Sequence, residues 1–246
     1  MNYRCIVQYD GTRYEGWQKQ KRTEETIQGK LEKTLRKITG EEVQVIGAGR
    51  TDAGVHSLGQ VVNFHLKGRW KAEELETALN GYLPDDIAFK HMETAEERFH
   101  SRFGALEKTY RYRIRTSTEK NVFERRFVWQ YGKPLDVEAM KKAAAFLIGT
   151  YDFISFCGNK KMKKSAVRCI SKIEMKEIKG ELQIDFTGDS FLQGMVRILV
   201  GTLVEVGEGK RKAESIPAIL ESKSREKAGF TAPPQGLILV SVRYEI

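Results

Sequence analysis

Hydrophobic residues recur along this chain with two different spacings, and each spacing predicts one type of element. Residues 3–9 (YRCIVQY) are typical of a strand. A helix should follow, because its apolar residues recur every three or four positions: Ile27, Leu31, Leu35 and Ile38. Thr23 is placed to cap the start of this helix, and Gly40 to end it.

Two predicted strands then flank a glycine-rich loop. The strands are residues 43–46 (VQVI) and 60–66 (QVVNFHL), and the loop between them carries Asp52. Helical spacing returns over residues 71–80, and a further strand is predicted from Ile87.

The next strand has two chemically different faces. In residues 109–116 (TYRYRIRT), alternation puts three apolar residues on one face, Tyr110, Tyr112 and Ile114, and three cations on the other, Arg111, Arg113 and Arg115. Asp136 should then cap a helix that Gly149 ends. The apolar residues of that helix are Val137, Met140, Ala144 and Leu147.

The last part of the chain contains its most apolar helix. A strand pair is predicted around Gly180, and residues 190–206 follow it as a helix that should pack centrally. Its apolar stripe is Phe191, Met195, Leu199, Leu203 and Val206. A short helix at 216–220 and a final strand at 236–246 complete the pattern.

These elements predict an α+β fold rather than a doubly wound parallel sheet. Both parts of the chain read as strand, helix, strands, helix, strand, so we expect two similar units whose mainly antiparallel sheets are backed by helices. We place the domains at 1–105 and 106–246, with the aspartate loop in the first domain.

Composition adds a basic charge and few cysteines. Lysine and arginine number 42 against 33 acidic residues, a net charge of +9, which favours a polyanionic partner, although a solvated basic surface remains the alternative. Three separated cysteines without a CxxC motif argue against a disulfide framework or a zinc site. With no apolar signal region and no apolar run near the roughly 18 residues of a membrane span, we expect a soluble cytoplasmic protein.

The loop around Asp52 fits neither a nucleotide site nor a metal site. GAGRTDAG lacks both G-x-G-x-x-G and a GK[ST] ending, and a strand rather than a helix follows it. Asp52 and His56 are four residues apart, a spacing that joins side chains only on a helix. What remains is one carboxylate beside Arg50, and its alternative role is to cap the turn.

Six motifs in order resemble the bacterial tRNA pseudouridine synthases of the TruA family, and together they span nearly the whole chain. The motifs are YDGTRYEGWQKQ, GAGRTDAGVHSLGQV, RFHSRFGALEKTYRYRI, DFISF, FLQGMVRILVGTLVEVGEG and APPQGLILV. The resemblance implies a pseudouridine synthase fold with a central RNA-binding cleft, and isomerisation of uridine to pseudouridine at positions 38, 39 and 40 of tRNA. It also implies a homodimer.

The same resemblance assigns three catalytic residues. Asp52 is the expected nucleophile, Tyr110 the active-site tyrosine, and Arg197 the arginine that pairs with the catalytic aspartate. All three should meet where the two halves meet. Taken alone, Tyr110 also fits an aromatic on a half-buried strand, and Arg197 a surface cation. The candidate substrate-binding residues are Tyr110, Arg50, Thr51, His56 and Gln60.

The chemistry of the residues agrees with such a reaction. Breaking an N-glycosidic bond and rejoining the base through carbon needs a carboxylate that attacks the uracil ring or the sugar, and both routes stay open. It requires no metal or other cofactor. Candidate phosphate contacts are the basic segments 19–22 and 160–164, with Arg125 and Arg126. The competing hypotheses are a non-catalytic RNA-binding protein or RNA chaperone on the same fold, and a nucleotide-dependent enzyme.

Overall fold

The computed structural model describes residues 1–159 and 161–245, and the chain forms two compact units. The first unit contains Met1–Leu106 and the described residues from Ile238 onward, and the second contains Glu107–Leu237. None of the helices formed by the described residues is long and apolar enough to span a bilayer.

An antiparallel sheet backed by two helices forms the first unit. Its elements are β1 Asn2–Tyr9, α1 Ile27–Thr39, β2 Ile46–Gly47, β3 His56–His65, α2 Ala72–Asn80 and β4 Ile87–Ala95. Strand β1 lies between β3 and β4 and is antiparallel to both, and β2 pairs antiparallel with β3. The predicted strand and helix types of this part of the chain are confirmed, with different ends.

The core of this unit lies between the sheet and its helices. Leu31 and Leu35 of α1 and Leu75 of α2 are fully buried, as are Tyr3 and Phe64, whose rings stack at 5.6 Å. Burying one such side chain stabilises the fold by about 1.5–3 kcal/mol. The alternation of buried and half-buried residues along β1 shows that one face of this strand turns toward the core.

Two predictions about the ends of these elements are corrected. Helix α1 is capped by Thr26, whose side chain accepts a hydrogen bond from the amide of Gly29, and not by Thr23. Gly40, with φ of 74°, ends the helix as predicted. Of the strand predicted at 43–46, only Ile46 is in a strand, because the pairing of β2 with β3 involves Ile46 and Gly47 alone.

The second unit is also an antiparallel sheet with helices. Its elements are β5 Glu107–Arg115, β6 Trp129–Gln130, α3 Val137–Ala145, β7 Gly149–Asp152, β8 Val167–Ile178, β9 Glu181–Gly188, α4 Met195–Gly207 and α5 Ile216–Ser222. The strands lie in the order β5, β9, β8, β7, with each neighbouring pair antiparallel, and β6 adds a short parallel pairing to β5.

Helix α4 is the central helix of the second unit. All of its residues except Arg197 and Glu205 are buried, so the predicted apolar stripe was too narrow. The helix begins at Met195 rather than at 190, since Gly194 before it has a left-handed backbone with φ of 68°. Asp136 caps α3 as predicted, but α3 ends at Ala145, and Gly149 instead opens β7.

The final strand, β10 Leu237–Arg243, returns the chain to the first unit. Ile238 and Leu239 pair in parallel with His56 and Ser57 of β3. The compact units therefore differ from the predicted domains 1–105 and 106–246, because this pairing joins the C-terminal strand to the first unit.

Candidate active site

The loop that carries Asp52 is fixed to the middle of β3 by Gln60. The Gln60 side chain is fully buried, its Nε2 donates to the carbonyl oxygen of Gly49 at 2.7 Å, and its Oε1 accepts from the amide of Gly49 at 3.2 Å. The amide of Ala48 also donates to the carbonyl of Val61 at 2.8 Å. The chain that leads to Asp52 is thus held by two bonds to the Gln60 side chain and by one backbone bond of the kind found in a sheet.

The N-terminal loop after β1 holds the other side of the aspartate loop. The amide of Trp17 donates to the carbonyl of Thr51 at 3.0 Å, and the amide of Gly54 donates to the carbonyl of Tyr14 at 3.3 Å. The hydroxyls of Tyr9 and Thr51 lie 2.9 Å apart in a buried hydrogen bond. Burial raises the pKa of Tyr9 well above its ordinary value, so this hydroxyl keeps its proton.

Two glycines allow these loops to lie this close together. Gly16 has φ of 90°, and a Cβ there would stand 2.7 Å from the carbonyl oxygen of Thr51. A Cβ at Gly47 would stand 2.6 Å from Cζ2 of Trp17. Both distances are shorter than the contacts that a Cβ atom makes in proteins, so the contact between the loops depends on glycine at these positions.

Asp52 lies at the turn of this loop and is half-buried. The turn is closed through its backbone, because the amide of Val55 donates to the carbonyl of Asp52 at 3.2 Å. Arg50, two residues earlier, is exposed, whereas Thr51 is buried.

His56 is a buried residue that ties β3 to the N-terminal loop. Its Nδ1 accepts a hydrogen bond from the amide of Gly11 at 3.0 Å and lies 3.2 Å from Oδ1 of Asp10. His56, Gln60 and Thr51 therefore all position the loop. Their predicted contact with substrate stays a prediction.

Tyr110 and Arg197 both belong to the second unit. Tyr110 lies on the apolar face of β5, is 7% exposed, and packs edge-to-face against Phe191 with the ring centroids 5.2 Å apart. The predicted alternation of β5 is confirmed, because its tyrosines and Ile114 are buried and its arginines half-buried.

Arg197 is half-buried and is bound to the segment that precedes β10. Its Nε donates to the carbonyl of Ala232 at 2.7 Å, and the amide of Ala232 donates back to the carbonyl of Arg197 at 3.0 Å. The hydroxyl of Tyr112 on β5 donates to the neighbouring carbonyl of Pro233 at 2.7 Å. Residues 232–233 thus tie together the strand that carries Tyr110 and the helix that carries Arg197.

Comparison with known proteins decides the family. The profile of a family described as tRNA pseudouridine synthase matches residues 5–104 and 143–245. A protein named tRNA pseudouridine synthase A from Thermoanaerobacter sp. (strain X514) is 45% identical over 243 residues, which cover 99% of each chain. One named tRNA pseudouridine synthase A 2, from Bacillus anthracis, is 42% identical with the same coverage.

This chain belongs to the tRNA pseudouridine synthase family. The predicted resemblance is confirmed, and so is the enzyme class, a tRNA pseudouridine synthase that uses tRNA as its substrate. The α+β fold with mostly antiparallel strands backed by helices agrees with it. A solved structure titled "Crystal Structure of a Cbf5-Nop10-Gar1 Complex" aligns with 85% of this chain and 43% of its own, at 12% identity and a TM-score of 0.37, too distant to carry an argument.

In this synthase the three predicted catalytic residues lie on different units, Asp52 on the first and Tyr110 with Arg197 on the second. Their meeting at one site stays a prediction. Among residues 1–159 and 161–245, no group of three or more histidine, cysteine, aspartate or glutamate side chains is arranged to hold a metal ion.

The basic segments predicted to contact RNA differ in their surroundings. In segment 19–22, Lys19 pairs with Glu32 at 2.9 Å and Arg22 with Glu15 at 2.7 Å, so both cations have carboxylate partners. Arg125 donates to the carbonyl of Val122 at 2.7 Å. In the segment 160–164, Lys160 lies outside the described residues. RNA contact by any of these segments stays a prediction.

Sequence reasoning missed the residues that support the site. Trp17 and Ala232 were given no role of their own, and Phe191 was assigned only to an apolar helical stripe, not to a contact with Tyr110. A signal was available, because Trp17 lies in YDGTRYEGWQKQ, Phe191 in FLQGMVR and Ala232 in APPQGLILV, all motifs of the family resemblance.

Proposed function

We propose that this enzyme converts uridine to pseudouridine at positions 38, 39 and 40, in the anticodon stem and loop of tRNA, with Asp52 as the nucleophile. One observation carries the proposal: Asp52 stands in a turn whose backbone is bonded on one side to Gln60 and on the other to the loop of Tyr14 and Trp17. A nucleophile held in this way loses little freedom when the reaction begins.

The reaction has a fixed balance of bonds. The bond between N1 of uracil and C1′ of ribose breaks, a bond between C5 and C1′ forms, and the proton on C5 leaves while N1 gains one. The Asp52 carboxylate acts either by adding to the uracil ring or by attacking C1′, and in both routes it is released when the new bond is complete. The net change is an isomerisation, so no oxidant or reductant is consumed.

Tyr110 and Arg197 take the two supporting roles in this proposal. The Tyr110 ring stacks on the uracil, and its hydroxyl assists removal of the C5 proton. The Arg197 guanidinium, steadied by its bond to Ala232, stabilises the ionised form of Asp52. Both roles require the two side chains to reach Asp52.

A base inside a stem cannot reach a carboxylate held on a loop, so the target uridine is flipped out of its stack. Unstacking costs about a few kcal/mol, which contacts to the RNA backbone must offset. Arg50, an exposed cation two residues before Asp52, contacts the flipped nucleotide in this proposal, and the buried Thr51, His56 and Gln60 hold the loop.

The proposal includes a homodimer that acts in the cytoplasm. Support for the dimer comes from the family resemblance, and light scattering tests it directly, because a mass equal to one chain would refute it. A cytoplasmic enzyme follows from its substrate, since tRNA is processed there, and fractionation of cells with an antibody to the protein checks this.

The experiment that tests the target is modification of anticodon stem-loop transcripts with a single uridine at position 38, 39 or 40. Product is measured by mass spectrometry after cyanoethylation, which labels pseudouridine. We expect product from each of the three transcripts and none from a transcript whose only uridine lies elsewhere in the stem. Binding with a steep salt dependence but without product would instead support a non-catalytic RNA-binding protein.

A further inference from the structure

The segment between β4 and β5 presents an exposed pair of rings. Phe103 is 80% exposed, and its ring lies against that of His100 with the centroids 4.3 Å apart and the planes inclined by 32°. A single exposed apolar side chain is ordinary on a protein surface. Phe103 is unusual because the segment that carries it is held by buried hydrogen bonds.

Buried amides hold the start of the segment. Asn2, which is 1% exposed, donates from Nδ2 to the carbonyl of Glu96 at 2.9 Å and to that of Phe99 at 3.0 Å. Asn63, also 1% exposed, donates to Oδ1 of Asn2 at 3.1 Å. Two strands of the sheet, β1 and β3, thus bind the backbone of the segment through side chains that are shielded from water.

The middle of the segment is held by Ser101, which is fully buried. Its amide donates to Oδ1 of Asn63 at 2.9 Å, its hydroxyl to the carbonyl of Ile46 at 2.6 Å, and its own carbonyl accepts from the hydroxyl of Tyr244 at 2.6 Å. Hydrogen bonds in such a shielded network are costly to break. The backbone at Ser101, from which Arg102 and Phe103 follow, is therefore held rigidly.

The orientation of the ring pair is set by the backbone itself. Nδ1 of His100 accepts hydrogen bonds from the amides of Arg102 at 3.1 Å and Phe103 at 3.2 Å. Because Nδ1 is the acceptor, the ring proton of a neutral His100 is on Nε2. The amide of Gly104 closes the turn by donating to the carbonyl of His100 at 2.9 Å.

The charged residue between His100 and Phe103 in the sequence is a cation, Arg102. Arg98 is bound to Glu96 at 3.0 Å, and the nearby Glu97 to His65 at 3.1 Å. Arg102 is exposed, and within the part of the chain that the structure describes its guanidinium makes no hydrogen bond or ion pair. A planar apolar face next to such a guanidinium complements a nucleobase joined to its phosphate.

We propose that the Phe103 and His100 rings are a stacking platform for an unpaired nucleobase of the bound tRNA, and that Arg102 contacts an adjacent phosphate. The inference rests on the proposed function, because it takes tRNA as the occupant. Stacking is tolerant of base identity, so the platform contributes affinity and position rather than a sequence preference.

The test measures the dissociation constant for an unmodified tRNA transcript, together with kcat and KM for pseudouridine formation, in variants at Phe103. Phe103→Ala should weaken binding by about 5- to 150-fold, the range expected for one stacked base, and raise KM by a similar factor. Phe103→Trp should bind within about twofold of the parent enzyme, and Phe103→Leu should resemble Phe103→Ala, because a flat ring is what the base requires.

Tyr82→Ala is the matched control. Tyr82 is also an exposed aromatic of the first unit, 57% exposed, but the amine of Lys37 lies over its ring at 4.4 Å. The Tyr82→Ala variant should bind tRNA as the parent enzyme does. Melting temperatures of the Phe103 variants, measured alongside, should stay close to that of the parent, since Phe103 is 80% exposed.

Three results would overturn the platform: binding by Phe103→Ala within twofold of the parent, full binding by Phe103→Leu, or a lower molecular mass of Phe103→Ala in light scattering. The last would mean that the ring contacts a second copy of the chain. If the parent enzyme makes no pseudouridine in the stem-loop transcripts, the proposed function fails whatever these variants do. If the parent enzyme is active and Phe103→Ala binds tRNA as the parent does, the platform is refuted and the proposed function stands.

Discussion

Gln60 and Gly49 exchange two hydrogen bonds, with the buried amide of Gln60 donating to the Gly49 carbonyl at 2.7 Å and accepting from the Gly49 amide at 3.2 Å. The side chain thus takes the place of a neighbouring strand just where β2 ends and the loop to Asp52 begins. Asp52, whose carboxylate the proposed mechanism needs, is the third residue after Gly49, so a shift at Gly49 is transmitted to it.

Replacing Gln60 by alanine should therefore lower activity without lowering affinity. We expect kcat for pseudouridine formation to fall by about 10- to 100-fold, the size of effect produced by a small misplacement of a catalytic group, while the Kd for tRNA changes little. The free energy of unfolding should fall by about 1–3 kcal/mol, because the partly buried amide and carbonyl groups of Gly49 lose their partner.

Gln8→Ala is the control for that variant. Gln8 makes one exposed hydrogen bond, from Nε2 to the carbonyl of Leu58 at 2.9 Å, and its loss should change the stability by no more than about 0.5 kcal/mol. If Gln60→Ala keeps the parent kcat, Gln60 does not position the aspartate loop.

The packing of Trp17 on Gly47 offers a second, purely steric test. Gly47→Ala would place a Cβ 2.6 Å from the indole ring, so the N-terminal loop has to move away from the aspartate loop. We expect the free energy of unfolding to fall by about 1–3 kcal/mol, as in other overpacked sites, and kcat to fall with it. Denaturant titration and the pseudouridine assay measure the two effects.

Gly81→Ala serves as the comparison for this variant. It lies at the end of α2 with an ordinary φ of −67°, and the nearest atom to its Cβ would be 3.5 Å away. A Gly47→Ala protein as stable and as active as Gly81→Ala would show that the contact with Trp17 is not needed.

The hydrogen bond from Tyr131 to Glu208 predicts a dependence of stability on pH in the second unit. Burial, followed by this bond, raises the pKa of Tyr131 from 10.0 to about 12. The bond from Tyr131, followed by that from Lys210, lowers the pKa of Glu208 from its ordinary 4.5. The interaction needs the tyrosine protonated and the glutamate ionised.

The change of stability with pH has opposite signs at the two ends of the pH range. A raised tyrosine pKa gives stability that is complete below the unfolded value of 10.0 and is lost as the pH rises toward about 12. A lowered glutamate pKa gives stability that is complete above 4.5 and is lost as the pH falls through the folded value.

Tyr131→Phe should accordingly lower the free energy of unfolding by about 1.5–3 kcal/mol near neutral pH, as for a hydrogen bond to a charged group, with less if solvent screens it. The difference from the parent should shrink above pH 10.0 and again below pH 4.5. Denaturation curves at several pH values measure it, with Tyr82→Phe as an exposed control. A difference that is constant over the whole range would contradict the assignment.

Much of the fold could be predicted because its signals are local. Asp136 caps α3 and Gly40 ends α1 through contacts within a few residues, and the alternation along β5 follows from the geometry of a strand. Where two local signals compete, prediction failed. Thr23 and Thr26 both precede α1, and only the structure shows that the hydroxyl of Thr26 meets the amide of Gly29.

The rest depends on contacts between residues far apart in sequence. Nothing in residues 236–246 indicates that Ile238 would pair in parallel with His56, which places the last strand in the first unit. In the same way, the family resemblance named Asp52 but could not show that Trp17 and Gln60 hold its loop. Tyr110 and Arg197 were likewise named by resemblance, and their approach to Asp52 stays a prediction.

The most direct test of the proposed mechanism is the pseudouridine yield of Asp52→Asn, measured by mass spectrometry after cyanoethylation of a tRNA transcript. The variant keeps the size of the side chain and removes the nucleophilic carboxylate. Asp85→Asn, an exposed aspartate of the same unit, is the control and should keep the parent rate. We predict that Asp52→Asn binds tRNA like the parent and loses more than about 10³-fold in kcat. Pseudouridine formation by Asp52→Asn at the rate of Asp85→Asn would contradict the assignment of Asp52 as the nucleophile.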